Sequence, residues 1–512
     1  MRLRSRVVLS AVVLAAIATL GLLLWVPRSL PGVRERGVAA LNAQFKSQVG
    51  LGSLDIGVFP LPYIAGTDLN LRHNGRTDVP PLITIGSFEA STSLSGLYGR
   101  PFRVKNVTLH GLEVRLPPGG LKGMAGTDTG LSGGNAGIIL DEIVSRSATL
   151  EIASSKPGKL PRVFEIHDLV MTGFGRPDGA EFHAGLTNPV PRGRIETSGV
   201  FGPWEADEPR QTPVRGEYAF KGADMNTIKG IAGTLTSVGK YQGVLQRIGV
   251  EGQVEIPDFS IDIAGTPVPL ATQFKAVVDG TNGDTYLEQV NARLADTTIL
   301  ATGAVVRTME VKGRHVTVDV KIADGRIEDL IKLAVKTASA PLTGRIDVTT
   351  KLVIPAGSED VIDRMQLDGQ FRLAQARFAN LDVQKKISLL STRGQGQEDE
   401  APGTSVVSNV SGRFVLNNAV LSFSELRFGV PGATVQLAGT YDLRNEQLAF
   451  AGDLLLDASL PDMMSGFKSL LARAAQPFFR RPGGGSRLPI RISGPREKPV
   501  FGLDVRRAFW FG

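Results

Sequence analysis

A two-residue periodicity constrains this chain more than any other feature. In Val316-Thr317-Val318-Asp319-Val320-Lys321 the valines share one side of an extended strand and the polar residues share the other. Arg345-Ile346-Asp347-Val348-Thr349 and Thr434-Val435-Gln436-Leu437 follow the same rule. From Leu51 onward such runs recur, bounded by Gly, Pro, Asn and Asp. In the stretch 103–116, Val104, Val107, Leu109, Leu112, Val114 and Leu116 carry the apolar side, and Pro117 and Pro118 stop the run. The 60 Gly and 30 Pro supply turns for many short strands, so the chain reads as mainly β.

The N-terminus breaks this texture. Arg2, Arg4 and Arg6 (a basic tip, 1–6) precede an uncharged run from 7 to 26 that includes Val7, Leu14, Leu20 and Leu24. As a helix of about 20 residues it spans about 30 Å, the thickness of a bilayer core. Trp25 sits at the far end, where an interfacial aromatic belongs, and Pro27 ends the helix. The basic flank predicts a cytoplasmic N-terminus with the body across the membrane. The alternative is a cleaved signal peptide. Its apolar region is normally about 7–15 residues and ends in a small-x-small site, whereas residues 22–26 are bulky up to Pro27.

Beyond the anchor the expected order is a β region at 27–118, a flexible Gly/Ser linker at 119–137, a central β-rich region at 138–355 and a C-terminal β region at 356–512. A short amphipathic helix is expected at 37–49 from Val38, Leu41, Phe45 and Val49. Ile327, Leu330, Ile331, Ala334 and Val335 predict a second helix. Met463, Met464, Phe467, Leu470, Leu471 and Ala474 predict a third near 461–476. Both fit core-packing plugs at a sheet end; the third also fits a membrane- or partner-binding helix, given Phe478, Phe479, Arg480 and Arg481 beside it. A weak repeat pairs 369–378 with 412–421, echoed at 344–348 and 252–256. It reads as Gly turn, alternating strand, small-polar turn, strand.

The chemical inventory is sparse. With no cysteine, a disulfide, an Fe–S cluster and a thiol nucleophile are excluded. His73, His110, His167, His183 and His315 show no metal-ligand spacing. Gly130-Leu131-Ser132-Gly133-Gly134 matches a nucleophile elbow in letters, but it lies in the linker rather than between a strand and a helix. Asp279, Asn282, Asp284 and Glu288 lack the spacing of a Ca²⁺ loop and read as a solvated turn. The residues therefore predict neither an enzyme nor a cofactor. An envelope hydrolase with a site in the middle region stays open only if acidic or His pairs converge in the fold. Net charge is +7, but Arg and Lys are spread along the body and partly matched by acids rather than clustered with aromatics, so no nucleic-acid partner is expected. The small clusters at Arg480, Arg481, Arg487 and Arg491 and at Arg506 and Arg507 fit solubility, or contact with anionic headgroups.

Several segments together carry a likeness. Pro60-Leu61-Pro62-Tyr63 leads into strands, followed by Pro81-Leu82-Ile83-Thr84-Ile85-Gly86-Ser87-Phe88-Glu89 and by Leu97-Tyr98-Gly99-Arg100-Pro101-Phe102-Arg103-Val104-Lys105-Asn106-Val107. Gly111-Leu112-Glu113-Val114-Arg115-Leu116 closes the series. With the anchor before it, this resembles the N-terminal portion of the AsmA-like family of bacterial envelope proteins. The stretches 412–423 and 431–440, Tyr441-Asp442-Leu443 and Leu488-Pro489-Ile490-Arg491-Ile492-Ser493-Gly494-Pro495 resemble that family's C-terminal region. The likeness covers both ends and little of 138–311.

The resemblance implies a long, twisted, antiparallel-rich sheet curled into a groove, anchored in the inner membrane, with its body in the periplasm. Family members are thought to carry phospholipid toward the outer membrane along that groove. On this reading Val316, Val318, Val320, Ile346 and Val348 line it, with Phe371, Leu373, Phe414 and Leu416. The partners implied are phospholipid, the inner membrane and another envelope protein acting as relay. The physics agrees: the two acyl chains hold about 30 methylenes, each costing about 0.8 kcal/mol in water, so an unshielded crossing faces on the order of 20 kcal/mol. The competing expectation is a non-catalytic scaffold or regulator of outer-membrane assembly with a dry, closed core.

Overall fold

The computed structural model describes residues 48–504 apart from 73–80, 96–101, 117–137, 153–161, 204–210, 396–405, 460–483 and a few isolated positions. The expected basic tip, the apolar run 7–26 with Val7, Leu14, Leu20, Leu24 and Trp25, the linker 119–137 and the helix at 461–476 lie outside the described residues. No described helix is long and apolar enough to cross a membrane.

The chain is mainly β, in two compact units. The first comprises Met1–Thr227, Leu235–Gln253 and Ala276–Thr285. It begins with β1 (Gln48–Gly50) and β2 (Ser53–Gly57), which both pair with β3 (Tyr63–Arg72). Then come β4 (Ile83–Ser91), β5 (Phe102–Leu116), β6 (Ile138–Ile152) and β7 (Arg162–Phe174). β8 (Ala180–Pro189), β9 (Arg192–Phe201) and β10 (Pro213–Asp224) follow. Each strand from β3 to β10 pairs with the next, antiparallel except at β5–β6. A parallel return needs a connection of a dozen or more residues, and residues 117–137 supply one.

The second unit comprises Ile228–Thr234, Val254–Lys275 and Tyr286–Gly512. β11 (Ile231–Ala232) belongs to it; β12 (Thr234–Val244), β13 (Arg247–Ile261), β14 (Val268–Val278) and β15 (Thr285–Leu294) have residues in each unit. β16 (Thr297–Arg307), β17 (Arg314–Arg326), β18 (Leu342–Ile354), β19 (Gln366–Phe378) and β20 (Ser408–Asn417) then form an antiparallel series. β21 (Val420–Val430), β22 (Ala433–Asp442), β23 (Gln447–Leu456), β24 (Ser486–Pro495) and β25 (Val500–Leu503) extend it. Among the described residues three α-helices interrupt: α1 (Ile327–Ala334), α2 (Val361–Arg364) and α3 (Leu381–Gly394).

α1 stands where the spacing of Ile327, Leu330 and Ile331 predicts a helix. Its buried Asp329 accepts Thr297 Oγ1–H at 2.9 Å and the Asp296 N–H at 3.2 Å, which ties the first turn to the start of β16. Two expectations are corrected. Gln48 and Val49, placed in a helix at 37–49, belong to β1 and pair with Arg72 and Leu71. The glycines of the repeat are not turns: Gly369, Gly412, Gly344 and Gly252 all lie inside strands. In the first copy the small-polar segment is a bulge within β19, with Gln375 at φ 55°. Only the second copy turns there, at Asn418 and Ala419 (φ 49° and 60°), which suits a tight hairpin of the type needing two positive φ values.

Candidate functional site

Ladder register decides which side chains share a face. In the second unit Val316, Val318, Val320 and Ile322 alternate along β17, opposite Ile354, Leu352, Thr350 and Val348 of β18. Ile346 and Val348 lie opposite Leu373 and Phe371. Gly369 and Leu367 lie opposite Phe414 and Leu416. All nine positions expected to line an apolar surface thus fall on one face of one series of strands. Val318, Ile346, Val348, Leu373 and Leu416 are buried; Val316, Val320, Phe371 and Phe414 are half-buried.

The face continues beyond the expected set. Val410, Phe428, Val435, Leu454 and Leu488 extend the row of Ile346 and Leu373. Phe423 and Phe450 extend the row of Phe414. Ring centroids lie 6.2 Å apart for Phe371–Phe414, 6.3 Å for Phe371–Phe423 and 5.8 Å for Phe423–Phe450, within the range for favourable aromatic pairs. The in-strand glycines make room for these rings. A Cβ on Gly412 would meet the Glu425 carbonyl first and stand 3.2 Å from the Phe371 ring, and one on Gly439 would meet the Ala449 carbonyl first and stand 2.8 Å from the Phe450 ring. The repeat's glycines mark close approach inside strands rather than turns: a Cβ on Gly369 would meet the Thr349 carbonyl and the Thr350 side chain, and one on Gly344 would meet the Ala374 carbonyl and Leu373.

Helices and one connection pack on this face: at Leu416, Ile362 of α2, Ala334 of α1 and Ile263 from the β13–β14 connection join the cluster. The cluster around Ile346 and Leu373 takes in Ile327 and Leu330 of α1. Ile387 and Leu390 of α3 join Val430, Ala433 and Leu456. The cluster of Val435, Leu437 and Phe450 adds only Leu390 of α3 and residues of β21–β24. No strand of a facing layer enters the last three clusters among the described residues. The first unit also carries an apolar face, with Phe88 opposite Leu109 and Ala90 opposite Val107. At β9 and β10 that face turns polar. Thr197 and Tyr241 hydroxyls meet at 2.7 Å, those of Tyr218 and Ser237 at 3.0 Å, and burial raises the pKa of both phenols.

The opposite face of the second unit is charged and solvated. Arg345–Asp324 pairs at 3.2 Å, Arg427–Glu425 at 2.7 Å and Arg487–Asp453 at 2.7 Å. A concavity of about 430 Å³ lies over β18–β21, lined by Asp347, Gln370, Arg372, Ser411, Arg413 and Glu425 among others. Its two carboxylates sit three strands apart, about 14 Å at the usual spacing, too far to act as a catalytic pair. No His, Asp and Glu group that could hold a metal occurs among the described residues. No family model, curated protein or solved structure matches the chain.

Proposed function

We propose that the chain is a membrane-anchored envelope protein of the AsmA-like kind that holds phospholipid acyl chains against an apolar sheet face and conducts them between membranes. The body then lies in the periplasm, the run 7–26 is the inner-membrane anchor, and no catalytic step is involved. The observation that carries the reading is the Phe371–Phe414–Phe423 strip, half-buried on an apolar face whose clusters there receive no facing strand among the described residues. An acyl chain lying there loses contact with water at about 0.8 kcal/mol per methylene, and a shift along the strip changes that area little.

The test is site-specific photo-crosslinking in cells. A photoreactive residue at Phe371 or Phe414 is expected to yield phospholipid adducts by mass spectrometry, and one at the solvated Asp319 is not. Adducts to protein alone at both phenylalanines would sink the proposal. They would favour the second reading, a non-catalytic scaffold. That reading draws support from α1 and α3, which already cover part of the face. It also draws support from β25, where Val500 is 61% and Leu503 57% exposed and which pairs with β24 alone among the described residues.

A further inference from the structure

The polar face over β18–β21 carries an arrangement that the conduit reading does not use. Arg372 lies opposite Asp347, yet the Asp347 carboxylate accepts the Asp324 N–H at 2.9 Å instead. Arg413 lies opposite Glu425, yet Glu425 pairs with Arg427 at 2.7 Å. Both facing acids are therefore engaged elsewhere, and neither Arg372 nor Arg413 has a protein acceptor among the described residues. Ser411 stands between Arg372 on one side and Arg427 on the other, two residues from Arg413 along β20. These groups border the concavity of about 430 Å³, together with Gln370 and Thr349.

Two guanidinium forks, a third held by one acid, a hydroxyl and an amide make a donor-rich hollow with a net charge of +1 among its lining side chains. Guanidinium geometry matches the oxygens of a phosphate group two at a time. We infer that Arg372, Arg413 and Ser411 form a binding site for a phosphate-bearing anion, either a lipid headgroup reached from the membrane surface or a soluble phosphate. The acyl-chain face lies on the other side of the same strands. The site therefore does not hold the headgroup of a lipid lying there, and the inference does not rest on the conduit reading.

Isothermal titration calorimetry of the full chain in neutral detergent tests it, with inorganic phosphate and glycerophosphoglycerol as probes. Saturable binding of at least one probe is expected, weakened about tenfold or more in R372Q/R413Q as bidentate contacts are lost. The ion-paired Arg345→Gln, outside the hollow, is expected to bind as the wild type does. Tighter binding of glycerophosphoglycerol assigns the site to a headgroup; equal or tighter binding of phosphate assigns it to a soluble anion. The inference is overturned if neither probe saturates, if R372Q/R413Q binds unchanged, or if Arg345→Gln loses binding equally. Circular dichroism checks that the exposed Arg→Gln changes leave the fold intact. Lipid adducts at Phe371 should survive in R372Q/R413Q, which separates failure here from failure of the conduit.

Discussion

Leu373 and Phe371 are neighbours on the same face of β19, yet they should respond differently to truncation. Leu373 is 2% exposed beneath α1. Leu373→Ala removes three carbons, about 2.4 kcal/mol of transfer at about 0.8 kcal/mol each, and the residual cavity brings the cost to about 2–5 kcal/mol. For the second unit of about 256 residues each kcal/mol moves Tm by about 2–4 °C, so a fall of about 4–20 °C is expected. Phe371 is only half-buried. In lipid-free protein Phe371→Ala should therefore cost less than the about 3–5 kcal/mol of a fully buried ring. Added phospholipid should raise the wild-type Tm more than that of Phe371→Ala, because a ligand of the native state stabilises it by mass action. Thermal melts by circular dichroism, with and without lipid, measure both. A loss in Phe371→Ala equal to that in Leu373→Ala, indifferent to lipid, would refute the reasoning, since the ring would then belong to a sealed core.

Three further outcomes are expected. Asp329→Ala strips the acceptor from Thr297 Oγ1 and the Asp296 N–H inside a buried site, and should cost about 1–3 kcal/mol in denaturant titration; an unchanged midpoint would show that the tie between α1 and β16 is idle. The Asp442 carboxylate is held below its ordinary pKa, first by the Asn445 backbone N–H and side-chain amide and also by the Arg444 N–H. Its contribution is thus present above the unfolded value of about 3.9 and is lost as pH falls through the lowered folded value. Asp442→Ala should accordingly narrow the stability gap to wild type only below about pH 4, and a gap that widens there would contradict this. Gly439→Val would drive a Cβ against the Ala449 carbonyl and to 2.8 Å from the Phe450 ring, and should destabilise by about 1–3 kcal/mol through overpacking, read as a lower Tm.

Strands with strict alternation were legible in the sequence because each pairs apolar and polar residues one for one. β17, β18 and β22 fall where Val316–Val320, Ile346–Val348 and Val435–Leu437 place them. The common face of the nine candidate residues was not legible, because it depends on ladder register. Bulges at Ile322/Gly325, Thr343/Arg345 and Leu373/Ala376 shift each strand by a residue or more. α3 escaped notice since Val383, Ile387 and Thr392 are β-branched and Ser388 and Ser391 compete for backbone hydrogen bonds, all weak helix formers. Its place is set by tertiary contact of Ile387 and Leu390 with β21–β23. The glycines misled because a Gly inside a strand and a Gly at a turn look alike until the neighbouring strand that approaches it is known. The basic hollow was invisible for a related reason: Arg372, Arg413 and Arg427 come together only through the β19–β20–β21 register.

Mass spectrometry of lipid bound to the purified full chain, compared with Phe371→Asp/Phe414→Asp, addresses the oily face most directly. The account predicts phospholipid carried through purification by the wild type and largely absent from the double variant, whose carboxylates would sit against acyl chains at a cost of several kcal/mol. A wild-type chain that is lipid-free when gently extracted, or a double variant that retains the same lipid load while folded, would contradict it.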